Sequence, residues 1–225
     1  AFINGVRTLK GLEEFGCHFW KPWGTKEKCS KRCLETGDLG PGSYGGAFHD
    51  FPKQDGGTFN QFQHVVEQIR ELPHLRSHFI SPWIPQYTVR GAGKHQQVVV
   101  VPCHGWISIR IIGKKLILTM VQRSADIVVG VPSNMVQYAA LTMAIARVTG
   151  YTAHKYVHTI IDAHVYEDQI PAAKQILIRK PRPFPTVRFS DDAPLDDLFL
   201  FRNKHFVLNG DYNPHPAIGH IPVAV

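Results

Sequence analysis

The stretch "VVVVPCHGWISIRIIGKKLILTMVQRS", residues 98 to 124, reads as two β-rich runs on either side of Gly113, Lys114 and Lys115. β-Branched and aliphatic residues suit a pleated, half-buried surface, and a short glycine-containing break between two such runs predicts a hairpin. That hairpin carries Cys103 just ahead of its first strand and Arg123 at the end of its second. Three readings of Cys103 stand open at this point: an inert thiol buried behind four valines, a metal ligand, or a nucleophile. A nucleophile needs a neighbouring cation to stabilise the thiolate. His104 is adjacent, but strand alternation sends it to the opposite face. Arg123, arriving on the partner strand, is the better candidate for lowering the thiol's pKa; its plainer reading is a surface arginine capping a strand.

Outward from the hairpin, "FNQFQHVVEQIREL" (59 to 72) sets Phe59, Phe62, Val66, Ile69 and Leu72 at helical spacing, which predicts an amphipathic helix stopped by Pro73. "NMVQYAALTMAIARVTG" (134 to 150) is apolar nearly all round and closes on Gly150, which predicts a helix deep in the core. "SHFISPW", "HQQVVVV" and "KYVHTIID" read as strands, and "AHVYEDQIPAAKQIL" as a helix interrupted near Pro171. The polar, glycine-rich "WGTKEKCSKRCLETGDLGPGSYGG" (23 to 46) reads as a long surface loop. Strands and helices in mixed order, with an antiparallel pair among them, predict an α+β fold.

The 225 residues, 44% of them hydrophobic, suffice for a sizeable core, and the absence of repeats and linkers predicts one domain over 1 to 225. A formal charge of +7 and a pI near 9.3 point to an anionic partner. That partner could be nucleic acid, a membrane surface or a phosphorylated small molecule, and the basic residues are spread along the chain instead of forming a stripe, which argues against nucleic acid. No apolar run approaches the roughly 20 residues of a spanning helix, and the amino end lacks a signal-peptide pattern, so no membrane partner and a cytoplasmic location are expected. Four cysteines suggest reduced thiols, and Cys17, His18, Cys29 and Cys33 lack the paired short spacings of a zinc site, so no metal is expected. The chain opens on Ala1, which suggests that an amino-terminal segment precedes it.

Four stretches place reactive or polar residues beside apolar flanks: "PCHG" (102 to 105), "QRSADIVVGVPSN" (122 to 134), "DAHVY" (162 to 166) and "GDYNPHPAIGHIPVAV" (210 to 225). Buried polar groups need partners, and ligands are common partners. Together with "FWKPW" (19 to 23), "GDLGPGSYG" (37 to 45), "LRSHF" (75 to 79), "PRPFP" (181 to 185) and the terminal "PVAV", they follow the order found in the thymidylate synthase superfamily, which the chain resembles from about Phe19 to Val225. That superfamily includes pyrimidine nucleotide hydroxymethylases.

The resemblance implies a mixed β-sheet covered by helices, with a sheet face at a homodimer interface. It implies an enzyme in which the Cys103 thiolate adds to carbon 6 of a pyrimidine nucleoside monophosphate and so makes carbon 5 nucleophilic. The one-carbon unit comes from 5,10-methylenetetrahydrofolate, and the product is a methyl or a hydroxymethyl nucleotide. By position, Tyr44, His104 and Arg123 accompany Cys103 in catalysis, and Arg123, Ser124 and a partner subunit's copy of Arg76 hold the 5′-phosphate. Asn134 reads the base, His164 and Tyr166 bind the sugar hydroxyl, and Trp20, Trp23, Asp126, Gly130 and Val225 face the folate. Asparagine at position 134 goes with uracil, hence dUMP, whereas the deoxycytidylate hydroxymethylase pattern has aspartate there; CMP or dCMP is the alternative substrate. Structural uses compete for each residue: Trp20 and Trp23 as core aromatics, Asp162 and Asn134 as helix caps. The chain departs from the family pattern at Ser77, where a second arginine is usual, at Ala125, in the longer loop after Trp23 and in "GWISIRI". These departures keep hydroxymethylation in view, while the tryptophans and the tail favour methylation.

Overall fold

The computed structural model describes residues 1–91, 96–210 and 212–223. In chain order the elements are α1 (Leu9–Glu14), α2 (Lys26–Ser30), α3 (Tyr44–His49), β1 (Phe51–Pro52), β2 (Thr58–Phe59), α4 (Gln61–Glu71), β3 (Phe79–Ile80) and α5 (Pro85–Thr88). There follow β4 (Trp106–Ile112), β5 (Lys115–Gln122), β6 (Ala125–Asp126), α6 (Gly130–Val148), β7 (Thr152–Ile160), β8 (Ala163–His164), α7 (Ile170–Leu177), β9 (Thr186–Phe189) and β10 (Phe206–Asn209). This is the α+β mixture expected of the sequence.

The main sheet runs β3-β4-β5-β7, antiparallel except between β5 and β7. Its centre is the expected hairpin, closed by Gly113 and Lys114 with Ile112 opposite Lys115. Gly113 has φ 59, a left-handed conformation that costs glycine little and lets the two-residue turn match the strand twist. Alternation then sorts the side chains. Ile107, Ile109, Leu116, Leu118 and Met120 are fully buried in the core with Phe62 and Ile69 of α4 and Tyr138 and Ile145 of α6. Trp106, Ser108, Thr119 and Val121 lie on the other face and are only half-buried.

Several elements differ from the sequence reading. Helix α4 buries Phe62, Val65, Val66 and Ile69, while Phe59 and Leu72 lie beyond its ends and are exposed. Helix α6 begins four residues earlier than expected, so Asn134 sits in its second turn and does not cap it. Nor is α6 buried all round: one face covers the sheet, and Val136 is 72% exposed. Pro171 opens α7 instead of interrupting it, because its missing N–H falls where no intrahelical bond is made. "AHVY" contributes β8, which pairs in parallel with β6, so Asp162 caps no helix there. "SHFISPW" supplies only the two residues of β3. In "HQQVVVV", His95 lies outside the described residues, and the rest is held outside any sheet by Gln97 N–H to Tyr87 O (2.9 Å) and Val99 N–H to Leu39 O (3.0 Å).

The stretch 23 to 46 keeps most of residues 25–36 at the surface, as expected, but corrects the loop reading elsewhere. It contains α2, and residues 42–48 are all buried. A Cβ on Gly45 would collide with the backbone oxygen of Val6, and one on Gly46 with that of Pro41. These glycines let backbone pack on backbone, so glycine richness here marks close approach.

Candidate active site

At the open end of the hairpin, opposite its turn, Cys103 and Arg123 meet. The Arg123 backbone N–H donates to Cys103 O (2.8 Å), and the side chain folds back along the same segment: Nε donates to Pro102 O (2.8 Å), Nη2 to Val101 O (3.2 Å) and to Cys103 Sγ (3.5 Å). Nη1 has no hydrogen-bond partner among the described residues. The Cys103 N–H donates to Tyr44 Oη (2.7 Å). Tyr44 comes from the first turn of α3, and its ring stacks on His104 with centroids 4.4 Å apart and planes at 18°. His104, which lies ahead of β4 and follows no strand alternation, turns into the core, where its Nδ1 meets Tyr138 Oη of α6 at 2.7 Å.

Burial governs the protonation of this group. It pushes the His104 imidazole down to about 3, with His158 adding to the effect, and it raises the phenols of Tyr44 and Tyr138. The Cys103 thiol is also raised by burial. Arg123 opposes that shift, as expected from the sequence, but burial is the larger effect, so the resting group is the thiol.

A second cluster gathers at the amino end of α6. Asp126 Oδ1 accepts from the Val128 and Val129 N–H groups (3.0 Å each), and Oδ2 accepts from Gln169 Nε2 (2.9 Å). Gln169 also donates to Pro222 O (3.0 Å), which ties the carboxyl-terminal segment to this corner. Asp126 pairs with His164 across β6 and β8. His164 Nδ1 lies 3.3 Å from Asp162 Oδ2, and its ring is 5.1 Å from that of Tyr166. A Cβ on Gly130 would lie 3.5 Å from Asp126 Cβ and 3.9 Å from Asn134 Oδ1, so a bare backbone opens the space between those two side chains. Asn134 Oδ1 accepts from Gln122 Nε2 (3.2 Å), and Gln122 also donates to the backbone oxygen of Ser124 (3.0 Å).

Trp20 and Trp23 lie 5.6 Å apart, with Trp20 6.1 Å from Tyr44 and 5.6 Å from Phe2. They thus adjoin the cysteine cluster while packing on the core, and the core-aromatic use is met. Trp20 Nε1 is sealed off without a partner among the described residues. Arg76 and Ser77 are exposed ahead of β3, and Arg76 makes no side-chain hydrogen bond or ion pair among the described residues. Val225 lies outside the described residues. All four cysteines are free, and among the described residues no three of histidine, cysteine, aspartate and glutamate are grouped to hold a metal ion.

Four polar residues of these clusters were not singled out from the sequence: Gln122, Tyr138, His158 and Gln169. The signal for Gln122 was present. It follows Leu116, Leu118 and Met120 in the core register of β5, where a polar side chain must find partners.

With a thiol, a guanidinium and a set of hydrogen-bonding side chains converging near the carboxyl end of β5, the molecule falls among group-transfer enzymes. The family model described as Thymidylate synthase matches residues 1–225, and the chain belongs to the thymidylate synthase family. It is accordingly a methyl- or hydroxymethyltransferase acting at carbon 5 of a pyrimidine nucleotide, and the family uses methylenetetrahydrofolate as co-substrate. Among the described residues no helix is long and apolar enough to cross a membrane.

Proposed function

We propose that the chain methylates dUMP at carbon 5, with Cys103 as the nucleophile. The observation that carries this reading is the Arg123 guanidinium, which reaches Cys103 Sγ with Nη2 at 3.5 Å, while Nη1 makes no hydrogen bond among the described residues. One cation can then do two things: stabilise the sulfur as it ionises, and hold a phosphate oxygen. Because burial keeps the resting thiol protonated, ionisation accompanies nucleotide binding. Sγ bonds to carbon 6, and the ring electrons shift toward carbon 5, which becomes the attacking atom.

Ser124 joins Arg123 at the 5′-phosphate, His164 and Tyr166 take the sugar hydroxyl, and Asn134 reads the base. His104, neutral through the physiological range, and Tyr44 hold the backbone and ring environment of Cys103 and serve proton transfers beside it. Methylenetetrahydrofolate supplies the one-carbon unit and, in methylation, the hydride. Asp126 fits a pterin: its carboxylate accepts three N–H groups and has about four lone-pair directions, which leaves room for one more donor. Trp20, Trp23 and Gly130 complete that side of the site and exclude water; Val225, the other residue assigned to the folate, lies outside the described residues.

The hollow that forms on the outward face of the main sheet supports a homodimer. It is lined by Phe79, Trp106, Ser108, Thr119, Val121, Arg123 and Ile161 and is almost wholly apolar, with Phe79 55% and Ile161 72% exposed. It lies on the sheet's outer side and shares Arg123 with the cysteine cluster, so a partner seated there brings its Arg76 to the phosphate. Hydroxymethylation of dUMP is the second reading, favoured by Ser77 and Ala125; Ala125 is fully buried beside the pterin-facing Asp126. Incubation with dUMP and methylenetetrahydrofolate, followed by dihydrofolate absorbance and nucleotide mass, tests the choice. Dihydrofolate formed in step with thymidylate is expected; a hydroxymethyl product without dihydrofolate overturns methylation.

A further inference from the structure

The polar residue that ends the buried face of β5 has a second partner, His158 on the neighbouring strand β7. His158 Nε2 lies 2.9 Å from Gln122 Oε1. The hydrogen bonds around Gln122 fix every orientation in this chain. The Ser124 backbone oxygen can only accept, so the nitrogen of Gln122 must face it. The oxygen of Gln122 then faces His158, and His158 Nε2 must carry the proton. Burial holds the His158 imidazole below its usual value, so at neutral pH it is uncharged, and this one N–H settles its tautomer. The second hydrogen of the Gln122 amide points to Asn134, which must answer with Oδ1. Asn134 Nδ2 is thereby turned away from the protein: it has no partner among the described residues and is not among the side-chain atoms sealed without one.

We infer that His158 is a positioning residue that, together with the Ser124 backbone oxygen, holds Gln122 and through it the Asn134 amide with its NH2 toward the cleft, and so sets a preference for a 4-keto over a 4-amino pyrimidine. This rests on the reading above that Asn134 faces the base. An outward NH2 meets the oxygen at carbon 4 of uracil and repels the amino group of cytosine. Without the lock, an asparagine amide can turn over, and a turned amide suits the wrong base. Neither His158 nor Gln122 need touch the nucleotide for this to hold.

The test is equilibrium binding of dUMP and dCMP by calorimetry, with melting temperature recorded for each variant. His158→Leu removes the donor, and the preference for dUMP is expected to fall by about tenfold or more. His158→Gln can place an amide N–H against Gln122 Oε1 and is expected to keep the preference. Gln122→Glu removes the donor to Asn134, whose NH2 is then drawn inward, so the preference should shift toward dCMP. A merely structural role would lower the melting temperature of both His158 variants and leave the binding ratio unmoved, which overturns the inference. An unmoved ratio in Gln122→Glu overturns it as well, even where His158→Leu does not fold. Asn134→Ala separates the two levels. If it collapses the ratio while Gln122→Glu leaves it unmoved, only the positioning role fails; if it leaves the ratio intact, the reading of Asn134 fails too.

Discussion

A serine at position 103 keeps the hydrogen bond to Tyr44, since that bond uses the backbone N–H. Cys103→Ser is therefore expected to abolish turnover while dUMP affinity stays within about tenfold of wild type, because the proposed phosphate, sugar and base contacts are assigned to other residues. Calorimetry beside a turnover assay checks this, and retained turnover would return Cys103 to the structural class. Asn134→Asp removes the outward donor; deoxyuridylate use should fall and relative use of a cytosine nucleotide should rise, read from kcat/KM for each. His104 gives a pH signature. Its pKa is about 3 in the fold against an unperturbed 6.5, so the unfolded chain binds the extra proton first. The stability it contributes is complete above about pH 6.5 and lost progressively as pH falls toward 3. Melting temperature should drop across that window, and His104→Gln should flatten the drop. The residues at this scale that were legible in the sequence, such as Cys103 and Arg123, lie in continuous motifs. The burial of Gln122 was signalled by the alternation of β5, but its pairing with His158 was not, because that depends on which strands become neighbours, and a parallel crossover leaves the two residues 36 apart in the chain.

Among the elements, α3 shows how little room the glycine-rich turn leaves. A methyl group on Gly46 would drive into the backbone oxygen of Pro41. Gly46→Ala is expected to cost on the order of 1–3 kcal/mol, the usual range for overpacking, and to displace Tyr44 two residues upstream. Chemical denaturation with Tyr44-dependent turnover as a second readout checks this; unchanged stability would mean that the turn yields easily. The hairpin and α4 were visible in the sequence because their periodicity is local. The buried turn was misread because glycine permits both loose loops and tight backbone packing, and only the tertiary neighbours Val6 and Pro41 distinguish the two. The start of α6 was misplaced for a related reason: no side chain caps it, so the sequence carries no stop or start signal at Val129.

At the scale of the whole molecule, the proposed homodimer rests on the outward face of the sheet. Ile161 stands largely free in one protomer, so Ile161→Asp should leave the protomer folded and shift the protein to monomers in analytical ultracentrifugation. Activity should fall with dimer content if a partner's Arg76 serves the phosphate; a fully active monomer would sink the shared-site reading. The two-residue turn at Gly113 and Lys114 has a consequence for how the chain comes to be an enzyme at all. Cys103 and Arg123 are 20 residues apart in the chain yet sit just past the end of one ladder of paired residues, so the local hairpin by itself is enough to align sulfur and guanidinium, without the distant strand β7. The turn works like the starting tooth of a zipper. A misplaced first tooth would carry the error to the far end, and because side chains alternate, a slip of one residue would send Arg123 to the wrong side of the cloth.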